Sequence, residues 1–153
     1  KNPEPPFYDS LQKYFDAAKT DPSSITAADI RKAVIRIRST KLPDPSRIAN
    51  TGSFFKNPII PTALFNDLQS QYPDIPHYSA PDGHVKLAAG WLIERSGLKG
   101  YDTGTFATYE HNALVVVNKA GTSHDQLENF KQQIISAVQQ KFNVTLEQEP
   151  ELL

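Results

Sequence analysis

The sequence predicts an α+β fold, and three observations carry that reading. Apolar residues recur at helical spacing in several separate stretches. One run, residues 113–117 (ALVVV), is apolar at every position, as a strand buried on both faces is. Helical and strand-like stretches then succeed one another without the strict alternation of a doubly wound parallel sheet. The 153 residues suit one domain, or one plus a fragment, and a hydrophobic share of 39% suffices for a packed core.

Residues 1–6 are charged and proline-rich and read as a linker or a cut strand end. Leu11, Tyr14, Phe15 and Ala18 predict a helix over 10–19. Residues 21–24 break it. Thr26 then caps a stronger helix, with Asp29 completing a box-like start and Ile30, Val34 and Ile37 forming its stripe. Arg31, Lys32 and Arg36 form a solvated face, while Arg38 and Lys41 sit where cations suit the helix dipole. Residues 41–50 hold two prolines and read as a loop.

The stretch 52–58, GSFFKNP, is the point around which the remaining chain is organised. Gly52 suits a tight bend, Phe54 and Phe55 favour a strand, and Pro58 stops the pattern. A strand is predicted over 54–60. Pro61 starts a helix whose face is Leu64, Phe65 and Leu68. Residues 71–83 read as a long loop, a length at which structureless segments are often functional. A third apolar stripe with Leu87 and Trp91 predicts a helix over 85–95, stopped by Gly97. Trp91 is expected to be mostly buried. Residues 106–109 and 113–117 predict a hairpin around Glu110, His111 and Asn112. The 113–117 strand is expected in the sheet interior, covered by the Trp91 helix and the last one. Ser123 caps that last helix, with Leu127, Phe130, Ile134 and Val138 inward. Asn143 closes it, and Val144 and Leu146 begin a strand-like tail.

Composition excludes several function classes. A net charge of −1 supplies no global basic field for nucleic acid or a membrane surface. Without cysteine there are no disulfides, thiolate zinc sites or cysteine nucleophiles. No apolar run approaches the roughly 20 residues of a membrane helix, and no signal-peptide pattern is present. His77, His84, His111 and His124 are scattered surface residues, so no metal site is expected. A phosphate loop and a dinucleotide fingerprint are both missing. Ser53 lacks the G-x-S-x-G elbow of a hydrolase. By local chemistry it sits in a surface turn, or with Lys56 and Asn57 on the polar side of a pocket. The chain begins at Lys1 and has no methionine, so a piece excised from a longer protein is expected.

Six stretches resemble one family. They are 38–45 (RSTKLPDP), 52–58 (GSFFKNP), 85–93 (VKLAAGWLI), 97–100 (GLKG), 113–118 (ALVVVN) and 141–144 (KFNV), in family order and with family-like spacing. Together they resemble UDP-N-acetylenolpyruvoylglucosamine reductase, the MurB flavoenzyme family of peptidoglycan synthesis. The resemblance implies that residues 1–45 are the end of the FAD-binding domain with connecting helices. Residues 46–143 are then the C-terminal substrate-binding domain, and 144–153 a tail carrying a catalytic glutamate. It further implies a cytoplasmic enzyme that passes hydride from NADPH to FAD, then to UDP-N-acetylglucosamine enolpyruvate, giving UDP-N-acetylmuramate. FAD would be held mainly by an N-terminal portion outside this chain, which alone is expected to be colourless and inactive.

Carried over residue by residue, Ser53 resembles the family's proton donor. Glu149, seven positions after Phe142 in F-x-V-x-L-x-x-E, resembles its C-terminal glutamate. Glu151 is the alternative, because Glu149-Pro150-Glu151 imitates a proline-glutamate pair; Glu149 needs no insertion. The arginine expected two positions later is replaced by Glu151. Lys41, Asn57 and Asn112 match substrate contacts, with Tyr78 and Lys99 as further ones. Arg38 is carried over as a cofactor contact. Tyr8 resembles the tyrosine of a loop that closes over nucleotide in one subclass, although Asp9 stands where glycine is common. Two other readings stay open: a stand-alone nucleotide-sugar binding module without chemistry, and a serine hydrolase.

Overall fold

The computed structural model describes residues 7–121 and 123–150. The linker reading of 1–6 and the alternative glutamate, Glu151, lie outside them. The chain divides into two compact units after Pro43.

The first unit is a helix pair, α1 (Asp9–Ala17) and α2 (Ala27–Lys41). Leu11, Phe15, Ile25 and Ala33 are buried together, with Ile30, Val34 and Ile37 packed on them. The box at the start of α2 forms as the sequence predicts. The Thr26 hydroxyl accepts from the Asp29 amide at 3.3 Å, and the Asp29 carboxylate accepts from the Thr26 amide at 3.1 Å. Hydrogen bonds from the Thr26 hydroxyl and amide hold the Asp29 carboxyl below its ordinary 3.8.

The second unit carries two three-stranded antiparallel sheets. The first has order β1 (Asn50–Ser53), β6 (Asn112–Asn118), β5 (Phe106–Tyr109). The predicted hairpin is its β5–β6 pair, and β6 is the centre strand with Val115 fully buried. Antiparallel pairing of β1 sets Asn50 opposite Val117 and Ser53 opposite Val115, with an irregularity between. Gly52, at φ +70°, takes up that irregularity in a conformation a side chain would strain.

The second sheet is β2 (Ile59–Pro61), β4 (His84–Leu87), β3 (His77–Ser79). Here the structure departs from the sequence reading three times. The strand predicted over 54–60 is interrupted: β1 ends at Ser53, β2 starts at Ile59, and Phe54 and Phe55 are buried between them. The loop predicted over 71–83 contains β3, whose three residues are all exposed and carry no burial pattern. The helix predicted over 85–95 is β4 followed by α4 (Ala89–Arg95). Val85 and Leu87 alternate with Lys86, which is strand periodicity, but four residues are too few to outweigh the longer stripe.

Three helices cover the sheets. Phe65 and Leu68 are the buried residues of α3 (Thr62–Gln71). α4 lies against β6, where Gly90 brings its backbone onto the Leu114 side chain; a Cβ there would stand 3.3 Å from Leu114 Cγ. Trp91 is largely shielded and packs against the core, as the sequence predicts, while Ala89, Leu92 and Ile93 are the fully buried residues of this short helix. Its ring packs on Tyr72 and Phe142, with the Arg95 guanidinium 5.2 Å above. α5 (His124–Phe142) buries Phe130, Ile134, Val138 and Phe142 and lies against α4 and β5. Ser123 caps it, and Asn143, at φ +55°, closes it. The tail beyond is extended, with Val144 and Leu146 buried. Among the described residues no helix is long and apolar enough to cross a membrane.

Candidate functional site

Backbone hydrogen bonds hold the 53–57 stretch from both sides. The Phe54 amide donates to the Leu114 carbonyl at 2.8 Å, tying it to β6. On the other side the tail runs antiparallel, with Gln148 opposite Phe55. The Lys56 amide donates to Glu147 O, and the Glu149 amide to Phe54 O, both at 2.8 Å. Burial of the Phe54 and Phe55 rings, 5.1 Å apart edge to face, fixes the stretch to the core.

This arrangement lines an open hollow of about 360 Å3 whose polar wall is Ser53, Lys56, Asn57, Lys86 and Glu149, of which Lys86 is partly buried and the others exposed. Phe55, Ile59 and Leu114 form the apolar wall. A neighbouring hollow of about 260 Å3 shares Lys56, Asn57 and Ile59 and adds Thr145 and Glu147. One cavity thus holds a hydroxyl, a carboxylate, an amide and two ammonium groups. That set suits a small anionic group needing proton traffic at one end and charge neutralisation at the other.

Asn57 has a second task. Its Oδ1 accepts from the Ala89 amide at 2.9 Å, so it satisfies an orphan N–H at the start of α4. Local sequence cannot reveal this cap, since Ala88 at the helix start offers no side-chain acceptor.

The other predicted residues fall elsewhere. Tyr78 stands opposite Lys86 across β3 and β4, in a row with Ile59; Tyr78 and Ile59 are both more than half exposed. Asn112 uses its Oδ1 to accept from the Leu114 amide at 3.1 Å, bracing β6 two residues before the cavity. Lys99 is paired with Glu94, its Nζ 3.0 Å from both carboxylate oxygens, and does not line the cavity. Tyr8, Arg38 and Lys41 are exposed residues of the first unit.

Lys86 is the lining residue that sequence reasoning left out, while Lys56 was read only as the cation of a candidate pocket at the 52–58 bend. Both stand inside matched stretches. Lys86 was hidden because its segment read as helix, where its neighbours on one face are different ones. A roomier cavity of about 540 Å3 is lined by Arg47, Asp102, Tyr109 and Lys119. Its Lys119 is already tied to Asp102 at 2.6 Å, and it contains neither Ser53 nor Glu149, so the smaller cavity is the candidate site.

Comparison with known proteins agrees with the motif series. Residues 44–153 match the family described as UDP-N-acetylenolpyruvoylglucosamine reductase, C-terminal domain. A UDP-N-acetylenolpyruvoylglucosamine reductase of Porphyromonas gingivalis is 48% identical over 142 residues, covering 93% of this chain and 41% of the relative. The enzyme of that name from Shewanella baltica is 46% identical over 133 residues, covering 87% and 39%. The one from Chromobacterium violaceum is 42% identical over 146 residues, covering 95% and 42%. The chain therefore spans about two fifths of the length of these relatives. It belongs to the UDP-N-acetylenolpyruvoylglucosamine reductase family, matching the C-terminal domain over residues 44–153.

Proposed function

We propose that this chain is the substrate-binding part of an FAD-dependent, NADPH-using reductase that converts UDP-N-acetylenolpyruvoylglucosamine to UDP-N-acetylmuramate. One observation supports it above the rest: Ser53 and Glu149, from opposite ends of the domain, line one cavity with Lys56, Asn57 and Lys86.

At about 360 Å3 the cavity is near the small end of ligand sites and does not hold a flavin dinucleotide. It fits an enolpyruvyl group at the mouth of a larger site. A flavin held by the rest of the full-length protein would supply the hydride chemistry at the terminal carbon of that group. Ser53 then gives its hydroxyl proton to the adjacent carbon, where negative charge develops. A hydroxyl is a weak acid, so its donation depends on being held against that carbon and on cations that stabilise the oxygen left behind. Lys56 and Lys86 are the cations in reach of this cavity. Glu149 faces the same carbon and assists in stabilising or protonating the intermediate. Lys41, Asn57, Asn112, Tyr78, Lys99 and Tyr8 contribute to holding the nucleotide-sugar, and Arg38 contacts the cofactor.

The test uses the full-length protein that contains this chain. Supplied with NADPH and UDP-N-acetylenolpyruvoylglucosamine, it consumes the two in equal amounts and releases UDP-N-acetylmuramate, identified by mass. Binding of the nucleotide-sugar without any NADPH consumption would instead make the chain a binding module, and the reading would fall.

A further inference from the structure

Glu149 sits in a tail with no regular element of its own; one bridge and two backbone hydrogen bonds tie it to residues 54–56. Successive residues of an extended segment face opposite ways, so a slip of one residue would turn Glu149 away from the cavity. Something must hold the register, and the side-chain contacts show what does. Lys131, on α5, reaches across and donates from Nζ to Gln148 Oε1 at 3.0 Å. Gln148 Nε2 in turn donates to the Pro150 carbonyl at 2.8 Å. The amide orientation is unambiguous, because an ammonium only donates and a carbonyl only accepts. Lys131 is largely shielded, its side chain 16% exposed, and its charge is met one turn earlier by Glu128 at 2.6 and 2.5 Å.

We infer that the Glu128–Lys131–Gln148 chain is a positioning device that holds the tail in the register bringing Glu149, rather than Glu151, to the Ser53 cavity. The inference rests on the role proposed above for Glu149. The one-residue slip that sets Glu149 opposite Phe55 is disfavoured independently, because Pro150 would then take the place of the Glu149 amide and has no N–H to give to Phe54 O. Slips the other way pull Leu146, 2% exposed, out of the core. The two-residue slip that sets Pro150 opposite Phe55 asks for no N–H from Pro150, and that slip is what a fixed partner for Gln148 prevents. Gln148 and Glu149 are neighbours facing opposite ways, so clamping one aims the other.

The experiment uses the full-length protein with Lys131→Met, Lys131→Arg, Gln148→Ala and Glu149→Gln. Reduction of bound flavin by NADPH and its reoxidation by UDP-N-acetylenolpyruvoylglucosamine are followed separately by stopped flow. Amide exchange at Glu149, which donates to Phe54 O, is followed by NMR and needs no activity. Lys131→Met is expected to slow reoxidation by up to roughly 10²-fold, the cost of a misplacement of about 1 Å. It should leave flavin reduction unchanged and accelerate exchange at Glu149. Lys131→Arg should restore both. Should Lys131→Met fail to fold, Gln148→Ala carries the same test with the cation kept. Reoxidation and exchange at wild-type rates in Lys131→Met, while Glu149→Gln is slow, overturn the clamp and leave the function standing. A wild-type protein not reoxidised by this substrate overturns the function. The exchange measurement then judges the clamp alone, and unchanged protection at Glu149 overturns it.

Discussion

The two sheets of the second unit are built differently. In the first, β5 and β6 close across Glu110 and His111, and the apolar β6 is buried along most of its length. In the second, β3 and β4 also pair at close range, but its strands are three or four residues long. Tyr78 and Ile59 stand open to solvent there. Burial makes a stiff sheet, while little burial makes one that opens more readily. The candidate site takes one wall from each: Ser53 and Leu114 from the first sheet, Ile59 and Lys86 from the second. Ser53, the proposed proton donor, thus stands on the more buried sheet, and Lys86 and Ile59 on the more exposed one.

The comparison breaks first at Phe55, which anchors the link between the sheets and is 1% exposed. Phe55→Ala should cost about 3–5 kcal/mol in chemical denaturation, because it leaves a cavity under both the 53–57 stretch and the tail. A loss below about 1 kcal/mol would mean that the link is not anchored by packing.

Legibility in the sequence tracks the same division. The Thr26 box, the Ser123 cap, the Asn143 stop and the β5–β6 hairpin were all readable, since each is decided by residues within a few positions. β3 and β4 were not, because strands this short and this exposed carry too little periodicity to outweigh a neighbouring stripe. The start of α4 failed because its acceptor is Asn57, 32 residues earlier. At the candidate site, local chemistry offered Ser53, Lys56 and Asn57 as one wall of a candidate pocket, while Glu149 entered only through its motif. No local pattern tells that Lys86 shares a cavity with Ser53 or that Lys131 reaches Gln148.

Asn57→Ala sharpens the contrast at the next level. It strands the Ala89 amide, which is fully buried, and should cost about 1–3 kcal/mol. Asn57→Asp keeps the acceptor and should lose much less; equal losses would show that the cap is not what matters.

Tyr78→Ala, on the exposed edge of the second sheet, should change stability by no more than about 0.5 kcal/mol. A larger loss would mean that β3 is a packed strand.

The smallest effect belongs to pH. Asp102 is held below its ordinary 3.8 by hydrogen bonds from Lys119 and the Gly104 amide. A carboxyl lowered on folding contributes stability above its unfolded value and loses it as pH falls through the lower, folded one. Asp102→Asn should therefore make unfolding slightly less acid-sensitive below about pH 4, and only slightly, since the pair is exposed. An unchanged acid limb would remove Asp102 from the account.

The measurement that bears most directly on the central claim is the pair of half-reactions in the full-length protein carrying Ser53→Ala. Flavin reduction by NADPH should stay near the wild-type rate, because a serine hydroxyl takes no part in it. Reoxidation by UDP-N-acetylenolpyruvoylglucosamine should slow by roughly 10² to 10⁴-fold, the worth of a positioned general acid. Reoxidation at the wild-type rate would contradict the account, because the proton would then come from a group other than Ser53.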